Sequence, residues 1–230
     1  MIRTGTGNLL QAPVDALVNT VNCEGVMGKG IALQFKQAWP QMYEAYRIEA
    51  KAGRIRPGEV HVWQTGLLHS PRFILNFPTK RHWRSRSLIE DIEAGLADLV
   101  AKLRELGVRS VAVPPLGAGN GGLDWSDVRP RIVDALTPLT DTDVLLWEPG
   151  AAPPTDHRPN QTQRPALTEA RAAVLGLMAR YTELDYELTQ LEVQKLAYFL
   201  QEAGEPLGLR YQAHLYGPFA DGLFLSLIHI

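Results

Sequence analysis

Asn19-Thr20-Val21-Asn22, followed by Gly25-Val26-Met27-Gly28-Lys29-Gly30, places two amides at the end of a strand and three glycines in the turn that leaves it. Asp15-Ala16-Leu17-Val18 reads as a short buried strand. Ile31-Ala32-Leu33-Gln34-Phe35 opens a helical pattern, so the glycines occupy a strand-to-helix corner. Glycine lets backbone N–H groups approach phosphate oxygens closely, and a helix N-terminus adds partial positive charge. Such a corner suits the diphosphate of a nucleotide. Two familiar phosphate motifs are excluded, because Lys29 is followed by Gly30 rather than Ser or Thr and the glycine spacing differs from the dinucleotide fingerprint.

A second glycine-rich turn, Pro115-Leu116-Gly117-Ala118-Gly119-Asn120-Gly121-Gly122-Leu123-Asp124-Trp125, follows an apolar run at 109–113. Either turn alone reads as an ordinary tight turn; two of them, each after a strand, point to a ligand. Strand candidates at about 14–19, 59–65, 73–77, 109–113 and 143–147 alternate with helical patterns at about 30–50, 87–106 and 126–137. The alternation predicts an α/β fold, a largely parallel sheet covered on both faces, with ligands at the carboxyl ends of the strands where both glycine turns fall. In the helix from Ser87, Ser87 and Glu90 have capping-box spacing, Ile89, Ile92, Leu96 and Leu99 supply an apolar face, and Gly107 ends it.

With 230 residues, 45% of them hydrophobic, the chain is long enough for one domain and a smaller appendage. A single cysteine, Cys23, excludes an internal disulfide framework and suits a reducing compartment. It reads as a small buried residue rather than a nucleophile. The six histidines show no ligand spacing, so no metal is expected. Met1 leads straight into a strand with no apolar leader, and no uncharged run is long enough to span a bilayer, which predicts a cytoplasmic protein with no membrane partner. Net charge is −2, but unevenly spread: 17 Lys/Arg against 16 Asp/Glu through residue 148, and 6 against 9 beyond it. Lys80-Arg81-His82-Trp83-Arg84-Ser85-Arg86 gathers four cations and an indole in seven residues. Such a stripe fits a nucleic-acid backbone and a stacked base, or equally a solvated loop before a helix.

Five prolines between Glu148 and Pro165 mark a semi-extended linker, placed at 149–166, between a domain at 1–148 and a short, mainly helical region at 167–230. In that region Ala170, Ala173, Val174, Leu177, Met178 and Tyr181 mark one helix. Leu191, Leu196, Phe199 and Leu200 mark another, capped by Thr189 with Glu192 and stapled by Leu188 and Val193. The last eight residues, Leu223 to Ile230, are apolar to the end except for Ser226 and His229, the pattern expected of a truncated or aberrant terminus.

Gly7-Asn8-Leu9-Leu10, the Val14–Asn22 strand and Gly28-Lys29-Gly30-Ile31-Ala32, together with Asn76-Phe77-Pro78-Thr79-Lys80 and the second glycine turn, resemble the macrodomain family over about residues 1–148. Within it the motifs are similar to a branch of ADP-ribosyl glycohydrolases related to the terminal ADP-ribose protein glycohydrolase. One member group acts as antitoxin to a DNA ADP-ribosyltransferase toxin. The resemblance implies a three-layer α/β/α fold with a mixed, largely parallel sheet. It implies ADP-ribose as ligand with no cofactor, and ADP-ribosylated thymidine in single-stranded DNA as substrate. Gln194-Lys195-Leu196-Ala197-Tyr198-Phe199-Leu200 and Tyr216-Gly217-Pro218-Phe219-Ala220-Asp221 are similar to the start of the region by which those antitoxins bind the toxin.

The same resemblance assigns residues. Gly28, Lys29, Gly30 and Ile31 would line one side of the diphosphate, and Leu116, Gly117, Ala118, Gly119, Asn120, Gly121 and Gly122 the other. Asn22 would stand beside the distal ribose, with Thr79 and Asn19 near it, although a strand-end Asn more commonly bonds local backbone. Asn8, with Leu9, stands where relatives place an acid that reads adenine, and Trp147 offers either an adenine wall or a core residue. Lys80 is the implied catalytic residue, with Asn22: a neutral amine to attack the anomeric carbon, favoured by burial or by the neighbouring Arg81, or a cation to stabilise the leaving group. Arg81, Trp83, Arg84 and Arg86 would hold the DNA strand. Protein-directed relatives carry an acid in the second turn where this chain has Gly121, which favours a DNA substrate. A non-catalytic ADP-ribose-binding module and a glycohydrolase acting on proteins are the competing functions.

Overall fold

The computed structural model describes residues 1–67, 70–150, 159–162, 167–183, 188–214, 216–220 and 223. The apolar terminus from residue 224 onward and most of the proline-rich segment lie outside them. The chain divides into two compact units, Met1–Thr162 and Gln163–Ile230.

The first unit is built on a six-stranded sheet whose strands are β1 (Ile2–Thr4), β2 (Ala16–Asn22), β3 (His61–Gln64), β4 (Phe73–Lys80), β5 (Ser110–Val113) and β6 (Asp143–Leu146). Their order is β1-β6-β5-β2-β4-β3, and every neighbouring pair is parallel except the antiparallel edge pair β3 and β4. Helices α1 (Gly30–Ala38), α2 (Pro40–Lys51), α3 (Ile89–Glu105) and α4 (Trp125–Leu136) cover it. Both sheet faces are apolar because both are covered. Val18, Leu75 and Phe77 pack with Ile92, Leu96 and Leu99 of α3 and Val128 and Ile132 of α4. Leu17 and Ile74 pack on the opposite side with Phe35 of α1 and Met42 and Tyr46 of α2. This is the three-layer arrangement expected.

Three details depart from the sequence expectation. The helical pattern at 30–50 is two helices, because the residue before a proline avoids the helical region: Trp39 sits at φ −134°, ψ 75°, and Pro40 starts α2. β4 runs on to Lys80, past Pro78, since β3 pairs with it only as far as Asn76 and a strand with an open side tolerates a missing N–H. The Ser87 capping box does not form. α3 starts at Ile89 with Leu88 as an uncapped N-cap, and the Ser87 N–H is given to Gly121 O at 2.9 Å instead.

The second unit contains α5 (Glu169–Thr182), α6 (Gln190–Glu202) and the antiparallel pair β7 (Gln212–His214) and β8 (Gly217–Phe219). Here the Thr189–Glu192 capping box is present, with Leu188 and Val193 in the same apolar cluster. The buried Gln194 amide reads both backbone groups of Ala220, accepting its N–H at 3.0 Å and donating to its carbonyl at 3.1 Å. Val174, Val193, Ala197, Ala220 and Leu223 form a small core. Among the described residues no helix is long and apolar enough to cross a membrane, and no group of three His, Cys, Asp or Glu is placed to hold a metal ion.

Candidate functional site

The two central strands β2 and β4 end side by side, and their register slips by one between Val21 and Asn22, so that Asn22 pairs with Lys80 rather than Thr79. Irregularities of this kind re-aim side chains at the end of a ladder. The Cys23 N–H then bonds the Lys80 carbonyl at 3.1 Å. Asn22 and Lys80, far apart in sequence, meet at the carboxyl edge of the sheet.

The Asn22 side chain organises the first glycine turn. Its Nδ2 donates to Val26 O at 2.6 Å, and its Oδ1 accepts the N–H groups of Glu24 at 2.9 Å and Val26 at 3.3 Å. The Tyr46 hydroxyl holds the Asn22 carbonyl at 2.5 Å. One amide hydrogen of Asn22 is thus committed to the turn. Beyond this turn α1 begins at Gly30 with no side-chain cap from Lys29, which leaves N-terminal amide groups for an anion. Gly30 has φ +60°, and a Cβ there would lie 2.7 Å from Asn120 Nδ2, so the two glycine turns meet at this point.

The second turn is gripped from outside. Lys80 Nζ donates to Asn120 O at 2.5 Å, and Arg86 Nη2 to Gly122 O at 2.5 Å. A Cβ on Gly121 would lie 2.3 Å from both Gly117 O and Ser87 Oγ. No acid fits at 121 on this backbone. Burial pushes the Lys80 ammonium below its usual pKa. Of the two causes expected from the sequence, burial is the one found; the Arg81 guanidinium instead forms a two-pronged pair with Asp91 at 3.0 and 3.1 Å. Burial first, then the Asp91 carboxylate, holds the Cys23 thiol up at about 11, so it stays protonated at neutral pH.

A cavity of about 370 Å³ beside β1 and β6 is lined by Thr4, Gly5, Asn8, Ala12, Leu145 and Trp147, among others. A Cβ on Gly5 would lie 2.2 Å from the Trp147 ring, so only glycine lets the indole lie on this backbone. The indole N–H bonds Gly7 O at 2.9 Å. Trp147 is half-buried, packed against the core cluster of Leu9 and Met42 on one side and lining the cavity on the other. Asn8 Oδ1 already accepts the Leu10 N–H at 3.1 Å, capping the short 3₁₀ turn Leu9–Gln11.

Gly28, Lys29, Gly30, Gly119, Asn120 and Gly122 are exposed at the rim, while Ile31, Lys80 and Ala118 are half-buried. Leu9, Thr79, Gly117 and Gly121 are buried, with Thr79 turned to Val21 O at 3.4 Å. Two further expected ligand residues have fully buried side chains. Asn19 is 0% exposed, its amide donating to Asn76 Oδ1 at 2.9 Å, and Leu116 is 0% exposed in the core. Of the basic stripe, Arg81 and Arg86 are engaged as described, whereas Trp83 is 46% exposed with the Arg84 guanidinium 4.4 Å from its ring centre. Sequence reasoning missed Tyr46, Asp91 and Ser87 as supports of the site. Tyr46 reads only as an apolar helix face, and nothing in the spacing of Arg81 and Asp91 announces a pair.

The macro domain model matches residues 18–132, and the chain belongs to the macrodomain family. It is 51% identical over 223 residues to a DNA ADP-ribosyl glycohydrolase of Thermus aquaticus, spanning 97% of this chain and 62% of that protein. The DNA ADP-ribosyl glycohydrolase of Mycobacterium tuberculosis is 45% identical over 230 residues, with 96% and 64% covered. The chain thus spans about 62–64% of the length of these relatives. Among solved structures, the macrodomain of Mycobacterium tuberculosis DarG superposes with a TM-score of 0.65 at 55% identity, covering 65% of this chain and 99% of that one. Thermosipho africanus DarTG in complex with ADP-ribose gives 0.56 at 32% identity, covering 66% and 41%.

Proposed function

We propose that this chain is a glycohydrolase that removes ADP-ribose from thymidine bases of single-stranded DNA, reversing the modification made by a DNA ADP-ribosyltransferase toxin in the cytoplasm. The observation that carries this reading is the place of Lys80. Its ammonium stands where the two glycine turns converge, on the residue that pairs with Asn22 in the sheet, in a chain half identical to a DNA ADP-ribosyl glycohydrolase.

The chemistry follows from the surroundings. The uncapped start of α1 and the Gly28–Gly30 turn supply N–H groups for the diphosphate, and the cavity walled by Trp147 accommodates a flat base. Cleavage breaks the bond between the anomeric carbon and the thymine nitrogen through a transition state of oxocarbenium character, and water ultimately supplies the new oxygen and a proton to the base. Burial of Lys80 favours its neutral form, which can attack the anomeric carbon; its ammonium form can instead stabilise the departing anion. A delocalised thymine anion needs little acid assistance, which agrees with a turn that has no room for an acid at 121. Exposed Trp83 and Arg84 suit a flanking base and phosphate. We assign the toxin-binding surface to the second unit, which lies in the acidic part of the chain and carries the Gln194–Leu200 segment.

The test offers a single-stranded oligonucleotide carrying ADP-ribosyl thymidine, and separately ADP-ribosylated protein, to the wild type and to Lys80→Ala. Release of ADP-ribose from the oligonucleotide, reduced at least a hundredfold or so in Lys80→Ala, is expected. An oligonucleotide left intact by folded wild type removes the reading, and intact oligonucleotide with retained ADP-ribose affinity points to a binding module.

A further inference from the structure

Three consecutive carbonyls of the second glycine turn are held by donors from one segment of chain. Lys80 Nζ holds Asn120 O at 2.5 Å, the Ser87 N–H holds Gly121 O at 2.9 Å, and Arg86 Nη2 holds Gly122 O at 2.5 Å. The start of the segment is pinned to α3 through Arg81 and Asp91, and Ser87 Oγ packs where a Gly121 side chain would be. We propose that Arg86 is a positioning residue for Lys80 rather than a DNA ligand. Its guanidinium fixes the Gly122 carbonyl and thereby sets where Asn120 O, the acceptor of the Lys80 amine, lies.

Two features favour this over the phosphate contact that an arginine in a basic run first suggests. Arg86 lies along the turn: its Nε is 3.2 Å from the position of a Cβ on Gly122, and Gly122 has φ +74°, a conformation that presents its carbonyl outward without a side chain in the way. Asn120 itself is exposed and preceded by Gly119, whose Cβ position touches nothing within 4 Å. The stretch bearing the Lys80 acceptor is a turn closed by a single bond of its own, Gly122 N–H to Gly119 O at 3.1 Å, and the fixed carbonyls on its far side set where that turn lies. Displacing a reacting group by even an ångström is costly to turnover.

The inference rests on the glycohydrolase reading, and the test separates the two. Arg86→Met removes charge and donor; Arg86→Gln removes the charge but keeps a donor for Gly122 O. Both are assayed on ADP-ribosyl thymidine mononucleotide, which has no flanking strand, and on the modified oligonucleotide. Arg86→Met is expected to lose roughly tenfold or more in kcat on both substrates with little change in the KM for the oligonucleotide, and Arg86→Gln to recover most of it. A loss confined to the oligonucleotide overturns the proposal. So does an Arg86→Gln variant with a raised KM and a dependence of log affinity on log salt shallower by about 0.7, one phosphate contact on single-stranded DNA. That second measurement needs only Arg86→Gln and decides the matter if Arg86→Met does not fold. Should wild type cleave neither substrate, ADP-ribose affinity by calorimetry replaces kcat. Weakening several-fold in Arg86→Met, restored in Arg86→Gln, supports the staple, and unchanged affinity in Arg86→Met overturns it.

Discussion

The two glycine turns that meet at Gly30 and Asn120 are held in opposite ways. The first is organised from within, by the Asn22 side chain at its own root, which takes both N–H groups and the carbonyl it needs from residues two to four positions on. The second has turn bonds of its own, Gly122 N–H to Gly119 O and Leu123 N–H to Gly117 O, both at 3.1 Å, but its outward carbonyls are fixed from without, by Lys80, Ser87 and Arg86, 34 to 40 residues earlier in the chain. A turn with its own anchor needs little from elsewhere, here only the Tyr46 hydroxyl on the Asn22 carbonyl. A turn anchored by a neighbouring segment moves with that segment, and it is this turn whose carbonyl receives the Lys80 amine. The fixed half of the site suits a diphosphate, and the coupled half suits chemistry.

The sharpest way to break this contrast is to add a methyl group to each turn. A Cβ at Gly121 would lie 2.3 Å from the Gly117 carbonyl and Ser87 Oγ, and the carbonyl cannot swing aside, whereas a Cβ at Gly28 has nothing nearer than Val26 at 3.9 Å. Gly121→Ala is expected to cost about 1–3 kcal/mol by overpacking and to abolish most ADP-ribose affinity, while Gly28→Ala stays within roughly 0.5 kcal/mol of wild type. Urea unfolding of the two variants decides it. Equal stabilities would show that the second turn relaxes as freely as the first.

This asymmetry also accounts for what the sequence made legible. The first turn, its strand and its helix lie within one short stretch, so local periodicity and glycine spacing suffice to place them. Lys80 was visible only through the resemblance of Asn76-Phe77-Pro78-Thr79-Lys80, and its meeting with Asn22 depends on a register slip that no local pattern encodes. Ser87 illustrates the limit. Its spacing to Glu90 fits a capping box as well as that of Thr189 to Glu192, yet only Thr189 caps, because the Ser87 backbone is drawn to Gly121. Asn19 and Asn22 look alike in sequence; one is sealed against Asn76 and the other roots a turn. Choices between local and distant partners of similar strength are settled by tertiary packing.

A second substitution probes the anchor of the first turn alone. Asn22→Asp keeps the oxygen that accepts from Glu24 and Val26 but loses the donor to Val26 O and sets a carboxylate against that carbonyl. Loss of one buried hydrogen bond, with its acceptor left unpaired, should cost about 1–3 kcal/mol. Chemical denaturation measures the cost, and hydrogen exchange should show faster exchange at the Glu24 and Val26 amides with Gly121–Leu123 unaffected. Equal loosening of both turns would mean that the first is not self-contained.

The smallest effect concerns Lys80 and pH. Burial lowers its pKa in the folded state below the value it has when unfolded. Between those two pKa values the unfolded chain binds more protons than the folded one, so this residue makes stability rise with pH across that window. Below the window the folded protein carries the full penalty of a partly buried ammonium; above it the penalty has gone. Lys80→Met, which has no proton to lose, should therefore melt slightly above wild type at neutral pH, with the gap closing as pH approaches the range where an exposed lysine titrates. A gap that reverses sign, wild type melting higher at neutral pH, would mean that the Asn120 carbonyl more than offsets desolvation.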